Sequence, residues 1–176
     1  MSLLRSTAAL LFLLAPSVVA AQTRDDEMRV IEAALRYHFD ETMPYVESWV
    51  VSWKTEPLTP GAAGSAFDAV RADYLTRNES PLELAELALP PTAEQADLSS
   101  FTAPAGFDWP AFERAFPKPG TYTARVSRPG FSDLTHAVVR VDTWSSVKRA
   151  PLTTQIYLAK SGDRWVVVGG ESPAVR

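Results

Sequence analysis

From Tyr122 onward the chain alternates apolar and polar residues, breaks, and alternates again. Period-two runs bounded by turn residues predict β-strands. Four are expected, at about Thr121 to Arg128, Leu134 to Trp144, Leu152 to Lys160 and Arg164 to Val168. The last two flank the tight turn Lys160-Ser161-Gly162-Asp163-Arg164. Short connections favour an antiparallel meander. In it Tyr122, Ala124, Val126, Ala137, Val139, Val141, Ile156, Leu158, Trp165 and Val167 share an apolar face, with Trp165 buried under a helix. Arg125, Ser127, Arg140, Asp142, Gln155 and Tyr157 fall on the opposite face, expected to be polar and wet. Pro129-Gly130 reads as a type II turn with positive φ at the glycine, and Arg128 as an exposed residue of little weight for stability.

The N-terminal half shows the other period. Met28, Ile31, Leu35 and His38/Phe39 follow three-and-four spacing, predicting a helix capped by Thr23, Asp25 or Asp26 and ended before Pro44. A strand follows, with Trp49, Val51 and Trp53 on one face; the tryptophans read as core under a helix, a ligand groove being their other use. Ser65 is placed to cap a helix carrying Phe67, Val70 and Tyr74. Ser80-Pro81-Leu82-Glu83 has the form of a capping box with proline at the first helical position, predicting a second helix that Pro90-Pro91 stops. Residues 92–107 lack a sustained period and read as a loop with one turn of helix. Asp108 caps a short helix presenting Trp109, Phe112 and Phe116. The fold class expected is α+β: N-terminal helices packed on a four- to five-stranded antiparallel sheet, with a helical part over about 22–117 and the meander over about 121–169.

The first residues change the expected setting. Arg5, the apolar run from Ala8 to Ala15 and the small residues at 18–21 have the form of a secretory signal peptide over 1–21, leaving one domain over 22–176. The run is too short to span a bilayer, which takes roughly 20 apolar residues. The chain has no cysteine, which removes disulfides, thiol nucleophiles and cysteine metal sites. Removing Arg5 from the 17 basic residues leaves 16 against 21 acidic ones, a net charge of −5. That balance disfavours nucleic-acid binding. A periplasmic or secreted bacterial protein is the expectation, with no membrane span after cleavage.

The C-terminal stretch carries Ser127, Arg128, Gly130 and Phe131 between two strands, then Tyr157, Leu158, Lys160, Gly162 and Trp165 in a closing hairpin. This pattern, over roughly the last 70 residues, resembles a group of uncharacterised bacterial exported proteins. The hairpin is also similar to those of the cone-shaped α+β folds related to nuclear transport factor 2. Many of the resembling proteins place a Cys-Gly pair between the second and third strands, where this chain has Ser145 to Pro151 with neither residue. The resemblance implies a fold and supplies no catalytic residues.

Candidate chemistry is sparse. His38 lies near Asp40 and Glu41, but one helical histidine supplies too few ligands for a metal, and no metal or cofactor is expected. Ser145 and Lys148 have the spacing of a serine–lysine pair without the motifs that complete such a site. Asp142 as a base, with Tyr157 as donor and His136 and Arg140 flanking, forms the candidate set for a small isomerase- or hydrolase-like enzyme. Arg125, Arg128, Arg140 and Gln155 are the candidate binding residues. The leading expectation is a non-catalytic module that binds a small ligand or protein through the polar sheet face or a proline-rich loop. The enzyme and a purely structural envelope protein are the alternatives.

Overall fold

The computed structural model describes residues 23–58, 68–85, 87–147 and 151–171. The expected signal peptide, the Ser65 cap with Phe67, and Lys148 lie outside these residues.

The first helix, α1 (Arg24–Tyr37), begins as its sequence dictates: the Thr23 hydroxyl accepts from the Asp26 N–H at 3.2 Å, and Asp25, Asp26 and Glu27 occupy the first turn. Acidic groups there suit the positive end of the helix dipole. The helix runs directly into a π-turn, His38–Thr42. There follow β1 (Trp49–Ser52), α2 (Arg71–Arg77), β2 (Ala93–Ala96), a 3₁₀ turn (Leu98–Phe101), the ribbon strands β3 (Thr102–Ala103) and β4 (Gly106–Phe107), and α3 (Trp109–Ala115) capped by Asp108. The C-terminal part supplies β5 (Tyr122–Val126), β6 (Gly130–Phe131), β7 (His136–Trp144), β8 (Leu152–Ser161) and β9 (Arg164–Glu171).

Seven strands form one mostly antiparallel sheet in the order β2-β1-β5-β7-β8-β9, with β6 also paired to β7; β3 and β4 form a separate ribbon. The meander and its facing are as the alternation predicts. The sheet is nevertheless larger than four or five strands, and β1 lies parallel to both β2 and β5. Long crossings permit this, because parallel neighbours need a dozen or more residues between them. Among the described residues the capping-box helix is absent. Leu82 and Leu84 instead spend their backbone groups on the strand beside them: Thr55 N–H donates to Leu82 C=O, Leu84 N–H to Trp53 C=O, and Leu82 N–H to Thr55 Oγ1, all at 2.8 Å. Local helix propensity is outweighed there by burial of Leu84 and Leu87 in the main core.

That core lies between α1 and the apolar sheet face. Val30, Ile31, Ala34, Leu35 and Phe39 pack on Ala124, Val126, Val139, Val141, Ile156, Leu158 and Trp165. The opposite face is not open to water. Val70 and Tyr74, at and within α2, cover Val138 and Tyr157, while Leu98 and Phe112 cover Val50 amid Phe101, Phe107, Trp109 and Phe116. Covered on both faces, β1 is buried at all four positions. Among the described residues no helix is long and apolar enough to cross a membrane.

Candidate functional site

The segment Ser127 to Phe131 is a structural junction. Gly130 does not adopt positive φ; it sits in β6 opposite Val138. Its lack of a side chain serves close packing, since a Cβ there would lie 2.5 Å from Tyr74 Cβ and 2.9 Å from Tyr74 Cα. Arg128 is likewise not a free surface residue. Its Nε and Nη2 meet the Glu27 carboxylate at 2.9 and 2.8 Å, and Arg77 Nη1 reaches the same carboxylate at 2.7 Å. Asp73 accepts from Arg77 Nε and from the Phe131 N–H; Asn78 clamps both backbone polar groups of Arg128. A carboxylate with only 4% of its side chain exposed is thus held by two guanidinium groups, joining α1, α2 and the β5–β6 connection. Charged groups are buried only when paired and hydrogen-bonded.

Asp142 is also buried, and its oxygens are engaged. Arg140 Nε and Nη2 grip it at 2.8 and 3.0 Å, and Thr153 Oγ1 donates at 2.8 Å. Tyr157 lies elsewhere. Asp142 faces Thr153 across the β7–β8 ladder, so Tyr157 is four residues further along, about 13 Å away at the rise of a strand. Its hydroxyl meets Glu171 at 3.3 Å; burial, then the Glu171 charge, push the phenol above its usual value. His136 is six residues from Asp142 on the same strand, about 20 Å away, exposed, and bonded to Asp133. The candidate catalytic residues therefore do not converge.

The candidate binding residues are mostly engaged within the fold. Arg125 pairs with Glu56 at 3.1 Å, with its guanidinium 4.6 Å from the Trp144 ring centroid and 5.7 Å from that of Phe107. Burial pushes the Glu56 carboxyl up against the opposing pull of Arg125. Arg128 and Arg140 are held by Glu27 and Asp142, and Gln155 is buried with its side-chain oxygen unpartnered among the described residues. His38 points into the core against Phe39 and Trp49, while Asp40 and Glu41 face solvent. Among the described residues no group of three or more histidines and carboxylates is placed to hold a metal.

A cleft away from all the candidate catalytic and binding residues lies at the edge of the sheet. About 670 Å³ opens between α1 and the start of β9, lined by Arg29, Glu32, Ala33, Arg36, Tyr37, Asp40 and Glu41 from the helix side and by Asp163 to Val167 from the strand side. Two contacts fix how these elements run. The Asp26 carboxylate accepts from Lys160 Nζ at 3.0 Å and Trp165 Nε1 at 3.4 Å, tying the start of α1 to the β8–β9 hairpin. Burial raises the Asp26 carboxyl, but those hydrogen bonds outweigh it and hold it below its usual value. Tyr37, at the other end of α1, lies against Gly170. A readable signal existed: the last strand of a meander is an edge, and Val166 and Val168 set exposed apolar residues on it. Comparison of the chain with protein-family models, curated proteins and solved structures finds no match.

Proposed function

We propose that this chain is an exported, non-catalytic binding module whose binding surface is the cleft between α1 and β9. What carries the reading is the contrast between the middle of the sheet and its β9 edge. The polar groups around Asp142 and Arg125 are packed and mutually engaged. The cleft instead combines an apolar floor of Ala33, Tyr37 and Val167 with the charged side chains of Arg29, Arg36, Arg164, Asp40, Glu41 and Asp163 at its rim, none of them in an ion pair with another described residue. A concave apolar surface with a few unspent polar groups is the general form of a ligand site.

Titration of isotope-labelled mature protein with a panel of short peptides and small amphipathic acids and amines tests this. Amide shifts clustered on Ala33, Tyr37 and 164–167 are expected. Shifts clustered around Arg140, Asp142 and Thr153, or turnover of ester or carbonyl substrates abolished by Asp142→Asn, would overturn the reading in favour of the enzyme.

A further inference from the structure

We propose that the cleft takes an extended peptide segment of a partner protein, which adds to β9 as an antiparallel strand with a basic residue near its start and an acidic residue near its end. The proposal rests on the cleft being the binding surface.

The backbone of β9 is the first ground. β9 ends the sheet, so one side of it has no neighbouring strand among the described residues. Lys160 N–H donates to Thr135 C=O, which turns the backbone groups of Lys160 toward β7 and those of Ala159 toward β9. Val166 lies opposite Ala159 and directs its polar groups at β8. Because direction alternates along a strand, Trp165 and Val167 point their N–H and C=O groups at the free edge. Their side chains face α1, so a strand added there would lay alternate side chains on Ala33 and Tyr37. Pairing with β8 shifts register after Val167, leaving Val168 as the extra residue. Such a bulge bends an edge and limits open-ended pairing. The regular part of the edge, Arg164 to Val167, coincides with the strand residues that line the cleft.

Charge supplies the occupant's polarity. α1 runs alongside β9 in the same direction, as the Asp26 and Tyr37 contacts show. Arg29 and Arg164, with Asp163 beside them, therefore stand at one end, and Asp40 and Glu41, with Arg36 one turn before them, at the other, so the first end keeps a net positive and the second a net negative charge. Arg29 and Asp40 are eleven residues apart, about 16 Å along a helix. The first and fifth residues of a strand are about 13 Å apart, and the length of the terminal lysine and glutamate side chains adds to that reach. An antiparallel segment would start at the acidic end and finish at the basic one. In the register Lys-Val-Thr-Val-Glu the valines oppose Val167 and Trp165 and face α1, while the lysine, threonine and glutamate oppose Val168, Val166 and Arg164 on the face away from α1, where the glutamate meets Arg164. Main-chain hydrogen bonds supply affinity in this mode of recognition, and alternate side chains supply specificity.

The test uses two N-acetylated, C-amidated peptides, Lys-Val-Thr-Val-Glu and its charge-swapped form Glu-Val-Thr-Val-Lys, against the mature protein, with residue-resolved hydrogen exchange. The first peptide is expected to bind at least fivefold more tightly and to slow exchange of the Trp165 and Val167 amides at least tenfold. Arg164→Glu, at an exposed side chain with no ion-pair partner among the described residues, should remove or invert the preference. Shifts in the cleft without slowed exchange at those two amides overturn strand addition and leave the cleft as the binding surface. No binding by either peptide at millimolar concentration also overturns strand addition, and the cleft reading then stands or falls on its own titration.

Discussion

Tyr74 packs directly over Gly130: the space a Cβ would need at position 130 is already filled by the Cβ, Cα and N atoms of residue 74. Because two of the three obstructing atoms are backbone, rotamer changes cannot relieve the overlap. Gly130→Ala must push α2 away from β6, and with it the Asp73 carboxylate that accepts from Phe131 N–H at 2.8 Å. Overpacking of this kind costs about 1–3 kcal/mol. A urea titration should show that loss. Gly106→Ala is the control for backbone strain without crowding, since Gly106 has φ of 120° and nothing within 4 Å of an added Cβ. If Gly130→Ala left the midpoint unchanged, the packing of α2 on β6 would be wrong.

Removing the Glu27 carboxylate should be more damaging than removing either arginine. Glu27→Ala leaves the Arg128 guanidinium without a carboxylate and Arg77 with Asp73 alone in a mostly buried place, and breaking a buried pair this way costs about 3–5 kcal/mol. Arg128→Ala leaves Arg77 to neutralise the carboxylate and should cost less. The double variant should fall short of the sum by about 0.5–3 kcal/mol, the range for residues in one network. Additive losses within error would mean that Glu27 and Arg128 are not coupled.

What could be read from the sequence divides along physical lines. The meander was legible because alternation states both the strand and its buried face, and Ala137, Val139 and Val141 lie where period two puts them. β2 was not, because Ala-Glu-Gln-Ala carries no alternation and joins the sheet through backbone pairing with β1 alone. The Ser80 capping box misled because a local signal worth about 1 kcal/mol is easily outweighed by tertiary pairing. Glu27 carried an unused clue. It lies four residues before Ile31, on the stripe that continues through Ala34, Leu35 and His38, and a carboxylate on a buried stripe demands partners. The exposed-turn reading of Pro129-Gly130 failed because glycine serves close approach as well as positive φ. The edge position of β9 could be read from the meander, but the cleft itself could not, because it depends on where α1 crosses that edge.

His38 should make stability depend on pH in a particular sense. Its ring is fully buried, both nitrogens lack partners among the described residues, and burial lowers its pKa from 6.5 to about 4. The unfolded chain therefore binds a proton between about pH 6.5 and 4 that the folded chain does not. Stability is complete above the upper value and is lost as pH falls through the window, by about 3 kcal/mol for a shift of this size. Glu56, raised by burial, titrates in the opposite sense, so the useful quantity is the difference between the native chain and His38→Leu. Denaturation at several pH values should show the native chain losing stability more steeply than the variant below pH 6.5. Parallel curves would show that the imidazole reaches solvent or a partner in the folded state.

The Asp142–Arg140 pair separates a structural carboxylate from a chemical one. A general base must release its lone pairs to a substrate, and here both oxygens accept from Arg140 while one also accepts from Thr153. Replacing the carboxylate by alanine leaves the Arg140 guanidinium, with 15% of its side chain exposed, short of its counter-charge. A cost of about 3 kcal/mol follows, at the low end for a broken buried pair because Arg140 keeps some contact with water. Asp142→Asn should fall between native and alanine, since an amide oxygen can keep one bond to Arg140 but its NH₂ group faces donors. The isolated Arg140→Ala variant should be at least as unstable as Asp142→Asn, because it leaves a carboxylate only 7% exposed with threonine as its remaining donor in the Arg140–Asp142–Thr153 cluster. Denaturant midpoints for the three variants give the order directly. Full native stability in Asp142→Ala would show that Asp142 contributes nothing to the fold, and would return it to consideration as a residue kept for chemistry.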